Sequence, residues 1–263
     1  MLVPMGQAAT YRSYYTMSQD WKALDDQNSD MRRYYLGSSV EGRPIYVYDI
    51  GNRRATNIIY LVASMHGGEH VTTETLYYTV KWLLSNDPVA RGILANNRIY
   101  VNPMANPDRY VTDRENANDV NLNRNFKYNF DPDFYDAHMD GTAGSYYYSE
   151  PETRQIVRVL KWGVDWYIDL HAGMHKIIPM GRSSTYSDMT WRYRNYCYRD
   201  GLTPSPVSVS STSRIATSHA DAYFTYGKKA MLYEISTDYL PNSYTIQNIL
   251  SPRLNNLIRS MAD

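Results

Sequence analysis

The segment "NIIYLVASMHGGEH", residues 57–70, narrows the folds open to this chain more than any other. Its first eight residues are continuously apolar, apart from Asn57 and Ser64 at the ends. Such a run suits a strand covered on both faces, as in a parallel sheet. It stops at two adjacent glycines set among His66, Glu69 and His70. Read literally, "HGGEH" is a His-x-x-Glu-His pattern, in which two histidines four apart on one helix face hold a metal and the carboxylate acts as base. Inside a helix, Gly67 and Gly68 would cost about 2 kcal/mol relative to alanine. In a turn just after a strand they cost little. The segment therefore predicts a strand-to-helix turn in which His66 and Glu69 converge on one ion while His70 begins the following helix. The helical reading, with His66 and His70 as ligands of an inverzincin-like endopeptidase, stays open as the alternative.

Catalytic zinc commonly takes three protein ligands and keeps a fourth position for water. The third ligand should come from a distant strand end. His171 is the best candidate, because it follows "WYIDL" at the carboxyl end of a predicted strand. His138 lies in a long loop, and His175 and His219 lie in irregular segments.

Around this segment, strand-like and helix-like stretches alternate. Residues 16–27 predict a helix, and "RRYYLGSS" and "PIYVYDIG" predict strands around the turn "SVEGRP". A helix over 72–85 places Leu76, Val80, Leu83 and Leu84 on one face. Strands follow at 98–104, 165–173 and 229–237, the last carrying Glu234. "SEPET" opens a helix with Ser149 and Glu152 as a capping box. Residues 188–200 predict another helix. The C-terminal helix is kinked or restarted at Pro252. Residues 105–148 lack periodicity, and a loop region that long inside a compact domain is usually functional or disordered. The pattern predicts one α/β domain over residues 1–263: a three-layer α/β/α sandwich around a mixed, largely parallel twisted sheet. Ligands in such sheets gather at the carboxyl ends of strands.

Composition removes several classes. Lys+Arg and Asp+Glu both number 27, so no global charge draws the chain to nucleic acid or a membrane. Cys197 is the single cysteine, which excludes an internal disulfide and a cysteine zinc site. No apolar stretch approaches the length of about 18 residues needed to span a bilayer. The first fifteen residues lack a signal-peptide pattern. That fits a cytoplasmic protein and equally an exported domain whose leader has been removed.

The motifs, taken in order, resemble those of the zinc metallocarboxypeptidases, the funnelins, with a carboxypeptidase A-like catalytic domain. "SSVEGRPI", "MHGGEH", "NPMANPDRY", "RENANDVNLNRNF", "SEPET", "YIDLHAG" and "MLYEIST" follow one another across residues 37–237. The resemblance implies that His66, Glu69 and His171 bind one zinc ion. It makes Glu234 the general base and then acid. Arg114 becomes the oxyanion donor, with Arg109 as a nearby competitor. Asn123 and Arg124 hold the substrate's free carboxylate, a role suited to a guanidinium fork. The implied activity is cleavage of a peptide bond next to a residue with a free carboxylate. The substrate is an ordinary peptide C-terminus or, in the small cell-wall branch, a peptidoglycan stem peptide carrying diaminopimelate. A binding module that has lost catalysis is the remaining alternative.

Departures from the family pattern are equally specific. Asn121 stands where an aspartate normally orients a zinc-bound histidine, which lowers the expected metal affinity. Gly68 replaces an arginine common inside the zinc motif. Ungapped alignment puts Ser213 at the position of the family's mobile tyrosine, with Tyr223 or Tyr226 as possible substitutes. The side-chain pocket should have its floor near Ala220. Asp221 either faces that pocket or is structural, the structural role being the favoured one.

Overall fold

The computed structural model describes residues 11–136, 141–236 and 242–263. His138 and Thr237 therefore lie outside the described residues. The chain opens with a helix, α1 (Tyr14–Gln27), followed by the hairpin β1 (Met31–Ser38) and β2 (Pro44–Gly51). Strand β3 (Asn57–Val62) runs into α2 (His70–Leu83), and α3 (Pro88–Asn96) leads to β4 (Asn97–Asn102). A long connection holds a single 3-10 turn, Leu122–Arg124, and a two-residue ribbon, β5 (Tyr135–Asp136) with β6 (Gly141–Thr142). Then come α4 (Pro151–Leu160), β7 (Trp166–Gly173), β8 (Lys176–Met180), α5 (Ser183–Arg199), α6 (Ser218–Phe224) and β9 (Lys229–Ser236). One turn, α7 (Ser243–Thr245), and a π turn, Ile246–Leu250, precede α8 (Ser251–Ala262). Pro252 sits in the first turn of α8, so it restarts the helix.

The seven main strands form one sheet in the order β1-β2-β4-β3-β7-β9-β8. Its four central strands, β4, β3, β7 and β9, are parallel, and β1, β2 and β8 are added antiparallel at the edges. Alternate residues feed two cores, as the pleat requires. Ile59, Leu61, Ile168, Leu170 and Met231 pack with α2, α5 and α8, whereas Tyr60, Val62, Tyr167 and Ala230 pack with α4 and α6. That is the expected three-layer sandwich. From β3 the chain crosses to β4 on one side; from β4 it crosses to β7 on the other. The carboxyl ends of β3 and β7 thus flank a topological switch point, where open α/β sheets leave a crevice.

Three expectations change. The Ser149–Glu152 capping box does not form: Glu150 occupies the cap position of α4 without a side-chain cap bond. Ser149 instead donates to Glu150, and Glu152 accepts from Val40 N at 3.1 Å and Asn116 Nδ2 at 3.1 Å. Helix α3 replaces an unassigned stretch, with Asp87 accepting from Val89 N and Ala90 N. His219 lies in α6 rather than in an irregular segment.

Candidate active site

Glycine 67 builds the site from below. A Cβ there would meet Asp113 O at 1.7 Å and Arg109 O at 2.1 Å, so backbone rests directly on it. Gly67 N donates to Arg114 O and Gly68 N to Tyr110 O, both at 3.2 Å. Gly68 holds φ +77°, a region costly for other residues. The glycine pair therefore pins the segment 109–114 onto the turn after β3. That docking brings Arg114 Nη1 to 3.3 Å from Glu69 Oε1. Arg109 turns away to Glu41 and Asp113, at 2.9 and 3.5 Å.

His66, Glu69 and His171 converge, their ligand atoms lying within 4.8 Å of one another. His66 Nδ1 is 2.9 Å from Glu69 Oε1, His171 Nδ1 is 3.2 Å from Glu69 Oε2, and the two Nδ1 atoms are 3.0 Å apart. The opposite ring nitrogens face acceptors: His66 Nε2 lies 3.0 Å from Asn121 Oδ1, and His171 Nε2 lies 2.9 Å from Asp169 Oδ2. With those acceptors behind Nε2, the Nδ1 atoms of both rings are turned towards the shared point beside Glu69. Two ring nitrogens and a carboxylate then crowd one point, an arrangement made favourable by a positive charge between them, whether a proton on His171 or a metal ion. A nitrogen–oxygen–nitrogen donor set of this kind suits zinc.

The same crowding governs protonation. Burial holds the His66 imidazole below the ordinary histidine range. Burial opposes charge on His171 too, but the Asp169 and Glu69 carboxylates outweigh it and lift that ring well above the range. Burial would raise the Glu69 carboxyl, yet the two imidazoles hold it far below the usual carboxylate range.

His70 takes no part in the cluster. It stacks on Tyr11 with ring centroids 5.0 Å apart and meets Tyr110 edge-on at 5.2 Å. The glycine turn explains this, because α2 begins only at His70 and points its side chain outward from the metal group.

Glu234 pairs in register with His171 across β7 and β9. Its Oε2 lies 3.3 Å from where a Gly173 Cβ would stand, and burial pushes its carboxyl above the usual range. Asn123 is tied to the cluster: its Oδ1 accepts from Ser218 N at 2.8 Å, and its Nδ2 lies 3.4 Å from His171 Nε2. Arg124 donates to Asn123 O at 2.9 Å, lies over the Phe134 ring at 5.2 Å, and lines a cavity of about 40 Å³ with Asn129, Asp131, Arg214 and Ile215. A larger cavity of about 480 Å³, between Tyr78, Trp82 and Arg259, includes none of these residues.

Several motif residues are struts. Asp108 of "NPDRY" accepts from Ser39 Oγ, Glu41 N and Arg43, bracing the β1–β2 turn. Asp221 is structural: it is fully buried and accepts from Tyr128 N, Thr225 Oγ1 and the Tyr148 hydroxyl. Tyr226 bonds Tyr148, Tyr223 packs against Gly181, and Ser213 donates to Ile215 O. Asp169, which sequence reasoning passed over, is fully buried and supports His171; Asp-x-His on a strand puts both side chains on one face.

A sequence profile described as "Zinc carboxypeptidase" matches residues 17–251. Carboxypeptidase SOL1 of Arabidopsis thaliana is 32% identical over 162 residues, 57% of this chain and 31% of that protein. Carboxypeptidase D of Homo sapiens is 32% identical over 162 residues, 55% of this chain and 11% of that protein. The chain thus matches less than a third of these curated relatives. In fold, it resembles carboxypeptidase A from Helicoverpa armigera with a TM-score of 0.78, covering 96% of this chain and 74% of that one at 18% identity. With the profile spanning most of its length, the chain belongs to the zinc carboxypeptidase family.

Proposed function

We propose that residues 1–263 act as a single zinc carboxypeptidase domain that hydrolyses the peptide bond next to a residue with a free carboxylate. The observation that carries this reading is the convergence of His66, Glu69 and His171 around one point, with Nδ1 of both imidazoles turned towards Glu69. One zinc ion held there would supply a Lewis acid and acidify a water near neutral pH. Glu234, beside His171 and pushed up by burial, takes the water's proton and returns it to the departing amine. Arg114, carried over Glu69 by the docked 109–114 segment, offers a guanidinium to the developing oxyanion. Asn123 and Arg124 hold the substrate's terminal carboxylate, which fixes where cleavage occurs.

The test is metal analysis of the purified protein together with hydrolysis of matched peptides bearing free or amidated C-termini. Bound zinc and cleavage of the free form alone are expected. Absence of metal binding, or equal cleavage of the amide, overturns the reading. A purified stem peptide containing diaminopimelate, run in parallel, decides between the two substrate classes.

A further inference from the structure

The two imidazoles of the cluster are held from behind by partners that differ by one charge. Asn121 takes His66, and Asp169 takes His171. The resemblance leads one to expect the carboxylate at position 121. We propose that Asp169 is the positioning residue that stands in for it, delivering through His171 the negative charge that sets the site's zinc affinity. This rests on the zinc reading above.

Three observations support the exchange. First, Asp169 is fully buried, accepts from His171 Nε2 and Ser218 Oγ through Oδ2, and has no hydrogen-bond partner on Oδ1 among the described residues. A buried carboxylate with so few donors needs a nearby positive charge, and a cation bound by His171 provides one. Second, position 121 is a poor place for a charge. A Cβ on Gly141 would meet Glu115 Oε1 at 2.7 Å and the Asn121 Cβ at 3.2 Å, so the mostly buried Glu115 is a close neighbour. An aspartate at 121 would bring a second carboxylate into the neighbourhood of Glu115, which the amide does not. Third, Asn121 Oδ1 still orients His66 while also accepting from Asn123 N at 3.1 Å, so geometry is kept where charge is not. Asp169 and His171 are two apart on β7, which directs both side chains to the same face.

Zinc affinity is read by competition with a chromogenic chelator. Asp169→Asn should bind zinc about 10–100-fold more weakly, with the far-UV circular dichroism of the metal-free variant matching the parent's to show that it is folded. Adding Asn121→Asp with Glu115→Gln to that variant returns the charge to His66 and should recover most of the loss. Unchanged affinity in Asp169→Asn, or a loss that the returned carboxylate does not reverse, overturns the proposal. Should Asp169→Asn fail to fold, the histidine ring protons of the unmutated zinc-loaded protein decide. The His171 Nε2 proton should resonate downfield of its His66 counterpart, because a carboxylate accepts the stronger, charge-assisted bond; the reverse order overturns it. If the parent binds no zinc, the functional reading fails instead.

Discussion

Replacing Gly67 by alanine separates a demand for space from a demand for conformation. The new methyl would stand 1.7 Å from Asp113 O and 2.1 Å from Arg109 O, and both obstacles are backbone. No rotamer relieves that contact, so the 109–114 segment must lift. Overpacking of this kind costs about 1–3 kcal/mol. The bonds from Gly67 N to Arg114 O and from Gly68 N to Tyr110 O would loosen with it. At about 0.5–1.5 kcal/mol each, these bring the expected loss to about 2–6 kcal/mol. Gly68→Ala is the control. Its methyl meets nothing nearer than Thr112 O at 3.5 Å, so only the φ of +77° is penalised, at about 1–2 kcal/mol. Urea unfolding of the metal-free proteins measures both, and peptide hydrolysis reports whether Arg114 has moved. Gly67→Ala as stable as Gly68→Ala, with activity intact, would refute the argument that backbone docking on Gly67 builds the site.

Other substitutions probe the site's parts. Glu234→Gln should retain zinc yet lose about 10²–10⁴-fold in kcat; activity within tenfold of the parent removes Glu234 from proton transfer. His171→Ala should abolish tight zinc binding while His70→Ala leaves it intact, as measured by metal content after dialysis, and the opposite pattern would restore the helical His66/His70 site. His219 is buried and its pKa is lowered to about 4 by burial, against 6.5 for an ordinary histidine. On acidification the unfolded chain takes this proton first, so the stabilisation is present above pH 6.5 and is lost as pH falls towards 4, by about 3 kcal/mol in total. His219→Phe should flatten that limb in urea unfolding between pH 4 and 7; an identical pH profile in parent and variant would sink the assignment.

The central sheet was readable because its strands announce themselves. The apolar run 57–64 and "DWYIDLHAG" need cover on both faces, and both became inner parallel strands. The convergence of His66, Glu69 and His171 was readable for a related reason: His66 and Glu69 follow one such strand and His171 lies near the end of another. Less visible were features whose meaning depends on partners far along the chain. Ser149 and Glu152 have the spacing of a helix cap, but Glu152 is recruited by Val40 and Asn116. Asp221 could be read as a pocket charge until Tyr128, Thr225 and Tyr148 were seen to occupy it. Asp169 was hidden inside an apolar strand, where its two-residue offset from His171 was the available signal. Asp87-Pro88 offered a helix start that went unread.

The in-register placement of His171 opposite Glu234 has a consequence for how this protein tolerates change. The spacing between a ligand and the acid is maintained by backbone ladder bonds at the heart of the molecule, about 4.8 Å from strand to strand. On the proposed reading, loops around the crevice can therefore lengthen, shorten or swap sequence, changing which substrates fit, without disturbing the distance that proton transfer by Glu234 would need. A one-residue slip of β9 would turn Glu234 to the opposite side of the sheet altogether. Selectivity is thus free to drift at the rim while the chemistry stays tethered to the frame.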